Sequence, residues 1–170
     1  MTSDNGDDIA RMKSEAAAFF GSAPGVFIIN YTDEYISSKL CEIGKTGFKA
    51  APIEGTWQTP PYQEVVVNQR SGALIIKDAV FIVVVDRADG AVMIIDSDNN
   101  TSLINASLDQ FCRCAIHWGK LLDVPENISK REREEIAALF TKDLLQIDKM
   151  AFENENQLWP VAIEEFSYGM

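Results

Sequence analysis

The sequence lacks the segments that would place a protein in or across a membrane. No apolar run approaches the roughly 20 residues that a membrane-spanning helix needs. The first eight residues are polar and acidic, whereas a signal peptide begins with basic residues followed by an apolar stretch. We therefore expect a soluble, cytoplasmic protein. Its hydrophobic fraction of 46% suffices for a core, which predicts a single domain over residues 1–170 with residues 1–8 flexible.

Basic residues are also scarce. The chain has 15 Lys and Arg residues against 26 Asp and Glu residues, which gives a formal net charge of -11. This balance disfavours nucleic acids and anionic membranes as partners, because both are bound through clustered cations. It favours a protein partner with a basic surface, since opposite charges accelerate the encounter. Acidity that serves only solubility explains the composition equally well.

The chain contains a single histidine, His117, which falls on a predicted helix beside Arg113 and Lys120. Acid–base catalysis by histidine normally requires a second side chain that orients the imidazole. The sequence shows no such partner, and it has no nucleophile elbow, Gly-rich phosphate loop or zinc-binding helix motif. It predicts no catalytic residue and no cofactor. An enzyme built around His117 remains an alternative to a binding protein.

The three cysteines do not form a recognisable pair. Cys112 and Cys114 lie two residues apart on a predicted helix, so their side chains point to nearly opposite faces. That spacing suits neither a disulfide nor joint ligation of a metal. Together with Cys41 they are expected to be free, buried thiols.

Residues 96–100 read Asp-Ser-Asp-Asn-Asn and resemble the start of a calcium-binding loop. Such a loop needs Gly at its sixth position and Glu at its twelfth. Those positions hold Thr101 and Ser107, so the ligand set is incomplete. The segment predicts a turn, and the sequence predicts no metal site.

Apolar runs and turn signals together predict an α+β fold. Strands are expected at residues 64–67, at 73–76 after Ser71-Gly72, at 80–85, 91–95 and 102–104, with Asp89-Gly90 forming a hairpin. Helices are expected at about residues 9–20, 32–43, 107–123 and 129–150, with a shorter closing helix or turn at 158–166. Residues 26–29 form a further strand or buried coil. We expect a single domain with a central, largely antiparallel or mixed sheet of about five to six strands. N- and C-terminal helices would flank it.

Two pairs of residues mark the starts of helices. Ser107 with Gln110, and Ser129 with Glu132, have the spacing of a capping box, and the first pair places a helix start at Leu108. The predicted apolar face of the first helix comprises Leu108, Phe111, Cys112, Ala115, Trp118, Gly119 and Leu122. The predicted face of the second comprises Ile136, Leu139, Phe140, Leu144 and Ile147.

The segment over residues 48–62 is the least regular part of the sequence. It contains Pro52, Gly55, Pro60 and Pro61, and it carries Trp57. A loop of this length in a compact domain is often functional, which would make Trp57 a binding residue. The alternative, which we favour, is that Trp57 closes one end of the core, because aromatic side chains supply large buried areas.

Three segments carry a resemblance to a known family. The first is the strand pair joined by Asp89-Gly90, and the second is Asn-Ala-Ser-Leu-Asp-Gln-Phe at residues 105–111. The third is the ending, with Leu-Trp-Pro-Val at residues 158–161, Glu-Glu-Phe at 164–166 and Gly-Met at 169–170. In this order, from about Val65 to Met170, they resemble the SUKH superfamily and specifically its group-four immunity proteins.

The resemblance implies a non-enzymatic α+β domain that binds and neutralises a cognate bacterial toxin, often a nuclease or deaminase domain of a polymorphic toxin system. Other SUKH proteins act as interaction modules, so a regulatory module of this fold without a toxin partner is the alternative. A basic toxin surface would suit the acidity of this chain. We expect the interface with the toxin to have an aromatic or aliphatic centre and an acidic rim. The candidate partner-binding residues are Trp57, Tyr62, Asp96, Asp98, Glu153 and Glu155.

Overall fold

A computed structural model describes residues 30–44 and 51–170 of the chain. The helices in these residues are α1 (Asp33–Gly44), α2 (Leu108–Leu121), α3 (Lys130–Ile147) and α4 (Leu158–Tyr168), with a 3-10 helix at Lys149–Phe152. The strands are β1 (Thr56–Trp57), β2 (Glu64–Val67), β3 (Arg70–Lys77), β4 (Phe81–Asp86), β5 (Val92–Asp96) and β6 (Thr101–Asn105). The helix predicted at residues 9–20 and the apolar stretch at 26–29 lie outside the described residues.

The described strands form one antiparallel sheet in the order β1-β3-β4-β5-β6. β2 also pairs with β3, and it does so along residues 70–73, whereas β1 pairs with residues 76–77. Because β4 occupies the other edge of β3, β1 and β2 follow one another along the same edge. The α+β class, the antiparallel sheet and the number of strands confirm the prediction.

The turn between β2 and β3 is shorter than the predicted strand limits imply. Asn68 and Gln69 have φ values of 46° and 67°, and they form a two-residue turn closed by the pairing of Val67 with Arg70. Such turns need positive φ at both central residues and usually contain Asn-Gly. Gln at the second position hides the turn signal. The strand predicted at residues 73–76 therefore begins earlier, at Arg70, and both Ser71 and Gly72 belong to it.

The segment over residues 48–62 contains a strand that the sequence did not reveal. Thr56 and Trp57 form β1, which is only two residues long and lies among Pro and Gly residues. Gly55 has a φ of 141°, and a Cβ atom there would lie 2.8 Å from a side-chain carbon of Ile76. Glycine therefore lets the chain approach β3 closely enough to pair with it.

The hairpin predicted at Asp89-Gly90 is confirmed, and residues 87–91 connect its two strands. The buried carboxylate of Asp86 accepts hydrogen bonds from the backbone N–H groups of Ala88 and Asp89 at 2.8 and 3.3 Å. Gly90 has a φ of 76°, and a Cβ atom there would lie 2.3 Å from the ring of Tyr31. The hairpin loop thus packs directly against the residues that precede α1.

Helix starts agree with the predicted caps. α2 begins at Leu108, as expected, and the Ser107 hydroxyl oxygen accepts a hydrogen bond from the Gln110 backbone N–H at 3.3 Å. The Gln110 side chain does not complete the capping box, because its carbonyl oxygen accepts from the Ser107 hydroxyl at 2.9 Å and not from the Ser107 backbone N–H, while its amide N–H donates to the Ile147 carbonyl at 3.0 Å. α3 has the full capping box between Ser129 and Glu132.

Several predicted helix limits and core positions are wrong. α3 ends at Ile147 rather than Met150, because Asp148 has an extended backbone with a φ of -153° and starts the 3-10 helix. Leu122 follows the end of α2 and is 45% exposed, and Leu139 on α3 is 65% exposed. Their helical spacing predicts that both belong to an apolar face, but their exposure shows that neither packs into the core.

The sheet has two apolar faces, as the continuous apolar strands predict. One face packs against the helices and forms the main core, with Val83 and Val85 of β4 beside Phe111 of α2 and Trp159 of α4. Alternate residues form a smaller cluster on the other face: Val67, Leu74, Val84 and Ile95, with Val65, Ile82 and Met93 around them. Within the part of the chain that the structure describes, no helix contributes to the smaller cluster.

Candidate functional site

Two of the candidate acids lie in the turn between β5 and β6. Asp96 accepts hydrogen bonds from the backbone N–H groups of Asp98 and Asn100 and from the Asn100 side-chain amide, each at 2.9 Å. The hydrogen bonds from Asn100 lower the pKa of Asp96, so its carboxylate stays charged in mildly acidic solution. Asp98 is exposed at the tip of the same turn. The turn predicted at residues 96–100 is confirmed.

The other two candidate acids, Glu153 and Glu155, lie in the exposed turn between the 3-10 helix and α4. The side chain of Gln157 fixes this turn, because its amide donates to the carbonyl oxygens of Leu103 at 3.1 Å and Met150 at 2.9 Å. Leu103 is the central residue of β6, so the turn lies beside the edge strand of the sheet. Asp96 and Asp98 lie where the chain enters β6, and the turn with Glu153 and Glu155 is bonded to the centre of the same strand, so both turns adjoin β6 and we call these four residues the acidic edge.

The two candidate aromatic residues lie at the opposite edge of the sheet. Trp57 is half-buried on β1 and its ring centroid lies 6.5 Å from that of Phe111, so it packs against the main core. Tyr62 is only 7% exposed, and burial raises the pKa of its phenol, although a hydrogen bond with Ser37 opposes this effect. These positions agree with the alternative in which Trp57 closes the core. They separate the aromatic candidates from the acidic edge.

A buried polar cluster connects β6 to the elements that flank the turn with Glu153 and Glu155. Asn105, at the end of β6, is fully buried and donates to Asp148 at 2.9 Å while it accepts from the Trp159 indole N–H at 2.8 Å. The same oxygen of Asp148 accepts from the Ala106 backbone N–H at 2.8 Å, and its other oxygen accepts from Met150 at 3.0 Å. These bonds join β6, the 3-10 helix and α4, which gives the Asn and Trp of the family-like segments a structural role.

A second buried charge, Arg87, joins the hairpin loop to α1 and β2. Its guanidinium lies 2.7 Å from a carboxylate oxygen of Asp33 and 2.5 Å from one of Glu64, and it donates to the Tyr31 carbonyl at 3.0 Å. Burial disfavours the charged form, but the two carboxylates outweigh it and raise the pKa of Arg87. No local pattern in the sequence indicates this cluster, because its members are far apart along the chain. With its carboxylates occupied, it serves the fold.

His117 lies on α2 and is half-buried. Burial, followed by the positive charge of Lys120, lowers the pKa of His117 below its usual value, while Asp143 opposes the change and Arg113 adds to it. Two cations therefore flank the imidazole. Among the described residues, no group forms a hydrogen bond that would orient the imidazole.

The cysteines are free, and two of the three are buried as predicted. Burial raises the pKa of Cys112 and Cys114 to about 12 each. Cys41 is exposed on α1, which corrects the expectation for that residue. Among the described residues, no group of three or more His, Cys, Asp or Glu side chains could hold a metal ion.

None of the helices in residues 30–44 and 51–170 has both the length and the apolarity that a membrane crossing requires.

An open groove of about 420 Å³ runs between α3 and α4. Ala137 and Ile163 line its buried floor, Phe152 of the 3-10 helix lies against it, and the carboxylates of Glu134 and Glu164 border it. We call it the α3–α4 groove. In the sequence, the Glu134-Glu135 and Glu164-Glu165 pairs look like ordinary solvated helix faces. The missed signal is that residues 150–170 contain four Glu and no Lys or Arg.

Comparison with known proteins shows the family. A family model described as SUKH-4 immunity protein matches residues 51–165. The chain belongs to the SUKH-4 immunity protein family. The predicted resemblance is confirmed, and the match begins earlier than expected, before β1 and β2. No curated protein and no solved structure matched this SUKH-4 chain.

Proposed function

We propose that this SUKH-4 protein binds a toxin domain made by the same cell and neutralises it by forming a one-to-one complex. The observation that carries the proposal is the family match over residues 51–165, which includes the whole described sheet. Inhibition would follow from covering the toxin's active site or an adjacent surface, and it needs no catalysis by this chain. A nuclease or deaminase domain is the proposed class of toxin, because such domains carry basic surfaces for nucleic acids.

The acidic edge is the proposed contact for a basic toxin surface. Asp98, Glu153 and Glu155 are exposed, and none of them forms an ion pair with another described residue. Their charges are therefore not compensated locally and remain available to cations of a partner. Such charges accelerate association and select for a partner of opposite sign.

The proposal is tested with the toxin domain that the neighbouring gene encodes. Co-expression should restore growth of cells that make the toxin, and calorimetry should give one chain bound per toxin domain. Charge complementarity predicts that the complex weakens as salt is raised, because screening lengths fall to about 8 Å at physiological ionic strength. Absence of a complex at low salt would contradict the proposal for that partner.

The contribution of the acidic edge is measured with the triple variant Asp98→Asn, Glu153→Gln and Glu155→Gln. We expect a slower association rate and a weaker salt dependence, since exposed charges act mainly on the encounter.

A matched control removes the same number of charges elsewhere, with Glu54→Gln, Asp123→Asn and Glu126→Gln, all of which are exposed. If both triple variants lose the same association rate, the effect reflects net charge alone and the acidic edge has no special role.

A further inference from the structure

The α3–α4 groove combines an apolar floor with polar side chains that can only accept hydrogen bonds from an occupant. The Thr141 hydroxyl donates to the Ala137 carbonyl of its own helix at 2.8 Å, and the Ser167 hydroxyl donates to the Glu164 carbonyl at 2.7 Å. Both hydroxyl protons are therefore engaged. An occupant can therefore only donate hydrogen bonds to these hydroxyl oxygens and to the carboxylates at the rim.

The charges around the groove are mostly negative, and the guanidinium of Arg133, which lies beside Gly169 at the end of α4, already donates to the Glu126 carbonyl. Glu164 forms no ion pair with another described residue, and Glu134 lies 3.7 Å from Lys130, with both side chains more than half exposed. A pair of this kind contributes little, so Glu134 is free to exchange its partner. α4 and the turn before it contain four Glu and no basic residue. An occupant that carries cations is therefore favoured over a neutral or acidic one.

The groove is also continuous with the acidic edge. Phe152 lines one end of the groove, and Glu153 follows it directly in the turn. A surface that reaches from Glu153 along α4 to Glu164 would combine a central apolar depression with acidic residues around it. Protein interfaces typically have this arrangement, with an apolar anchor at the centre and polar residues at the rim.

We propose that the α3–α4 groove receives an apolar side chain of the toxin that is flanked by Lys or Arg, presented from an amphipathic helix or loop. The apolar side chain packs on Ala137, Phe152 and Ile163, and the flanking cations pair with Glu134 and Glu164. This inference rests on the proposed function and names the surface through which it acts. The volume of about 420 Å³ suits such an anchor, and amphipathic helices often bind in grooves of this kind.

The test uses charge reversal with a control that matches it in net charge, helix and exposure. The double variant Glu134→Lys and Glu164→Lys changes the two carboxylates at the groove. The control, Glu135→Lys and Glu165→Lys, changes the adjacent exposed residues, which do not line the groove. Each double variant shifts the net charge from -11 to -7, since two Glu→Lys changes add four charges. Long-range attraction to a basic toxin is therefore the same in both.

We expect the groove variant to bind the neighbouring gene's toxin domain at least about tenfold more weakly than the control variant does. A second pair addresses the apolar floor without a change of charge. Ala138→Trp fills the groove from an exposed lining position, and Leu139→Trp places the same side chain on an exposed position of α3 outside it. Ala138→Trp should weaken binding by a similar factor, and Leu139→Trp should leave it within about threefold of wild type.

The outcomes separate this inference from the proposed function. Failure of the wild-type chain to bind the toxin domain would overturn both. Wild-type binding with equal affinities for the groove and control variants would overturn the inference alone. A dimer of this chain that Ala138→Trp or the groove variant dissociates would also overturn it, because a second copy would then occupy the groove.

Discussion

Replacement of Asp148 by Asn tests the buried polar cluster most directly, because it changes one atom and leaves the shape nearly intact. Asp148 is 3% exposed, and its two oxygens accept from Asn105, Ala106 and Met150 at 2.8–3.0 Å. All three partners are N–H donors. An Asn at this position must turn its own amide N–H group towards at least one of them, so a buried donor loses its acceptor in either orientation of the amide.

A buried donor without an acceptor costs about 1–3 kcal/mol, so Asp148→Asn should lower the free energy of unfolding by about 2 kcal/mol. For a chain of this length that corresponds to a fall in Tm of about 4–8 °C. Urea and thermal unfolding measure the change. The control is Asp98→Asn, the same substitution on an exposed residue, which should change stability by less than about 0.5 kcal/mol.

A second variant checks that the effect passes through Asn105. Trp159→Phe removes the indole N–H that donates to the Asn105 carbonyl oxygen. Because Asp148 and Trp159 bond the same side chain, the effects of the two variants should not add, and a double-mutant cycle should give about 0.5–3 kcal/mol of coupling. The reasoning is refuted if Asp148→Asn costs no more than Asp98→Asn, or if the two cluster variants are additive.

Three further predictions follow from single residues. At pH 8 a thiol-reactive aromatic disulfide should modify only Cys41 rapidly in the native protein, because burial raises the pKa of Cys112 and Cys114 to about 12, and Cys41→Ser should abolish the fast reaction. Since folding lowers the pKa of His117 from 6.5, its contribution to stability is present above that pH and is lost as the pH falls through the folded-state pKa. His117→Gln should therefore lose less stability than wild type between about pH 7.5 and about pH 5 in urea titrations, and equal losses would contradict the sign. Gln69→Gly should raise the free energy of unfolding by about 0.5–1 kcal/mol, because glycine adopts a φ of 67° without steric cost, and an unchanged midpoint would argue against a strained turn.

Local signals in the sequence predicted most of the described fold. The caps at Ser107 and Ser129 and the Asp89-Gly90 hairpin depend on residues within a few positions of one another, and all three are found in the structure. The same dependence explains the errors. Gln69 adopts a left-handed conformation, which glutamine rarely does, so its residue type does not predict the turn. β1 depends on Gly55, which allows close approach to a strand about 20 residues away.

The proposed contact surface was predictable only in part. The composition of the turns that hold Asp98 and Glu153 predicts that they are exposed. The position of the second turn beside β6 depends on the hydrogen bond from Gln157 to that strand. The α3–α4 groove depends on the distance between two packed helices. That distance cannot be read from the sequence. Tyr62 was predicted to bind a partner from its aromatic character. Its burial could not be predicted, because it follows from contacts with α1, almost 30 residues away in the sequence.

The way in which Gln157 and the 3-10 helix cover β6 limits how a partner can be recognised. An extended peptide often joins a sheet by pairing its backbone with an open edge, which fixes the mode of binding but reads little of the sequence. Here the chain's own glutamine already bonds the Leu103 carbonyl, and the 3-10 helix packs beside the strand. At Leu103 a partner that approaches this edge therefore meets the Gln157 side chain instead of a free backbone carbonyl. New specificities can then arise by exchanging surface residues one at a time, while the pairing of the sheet stays unchanged.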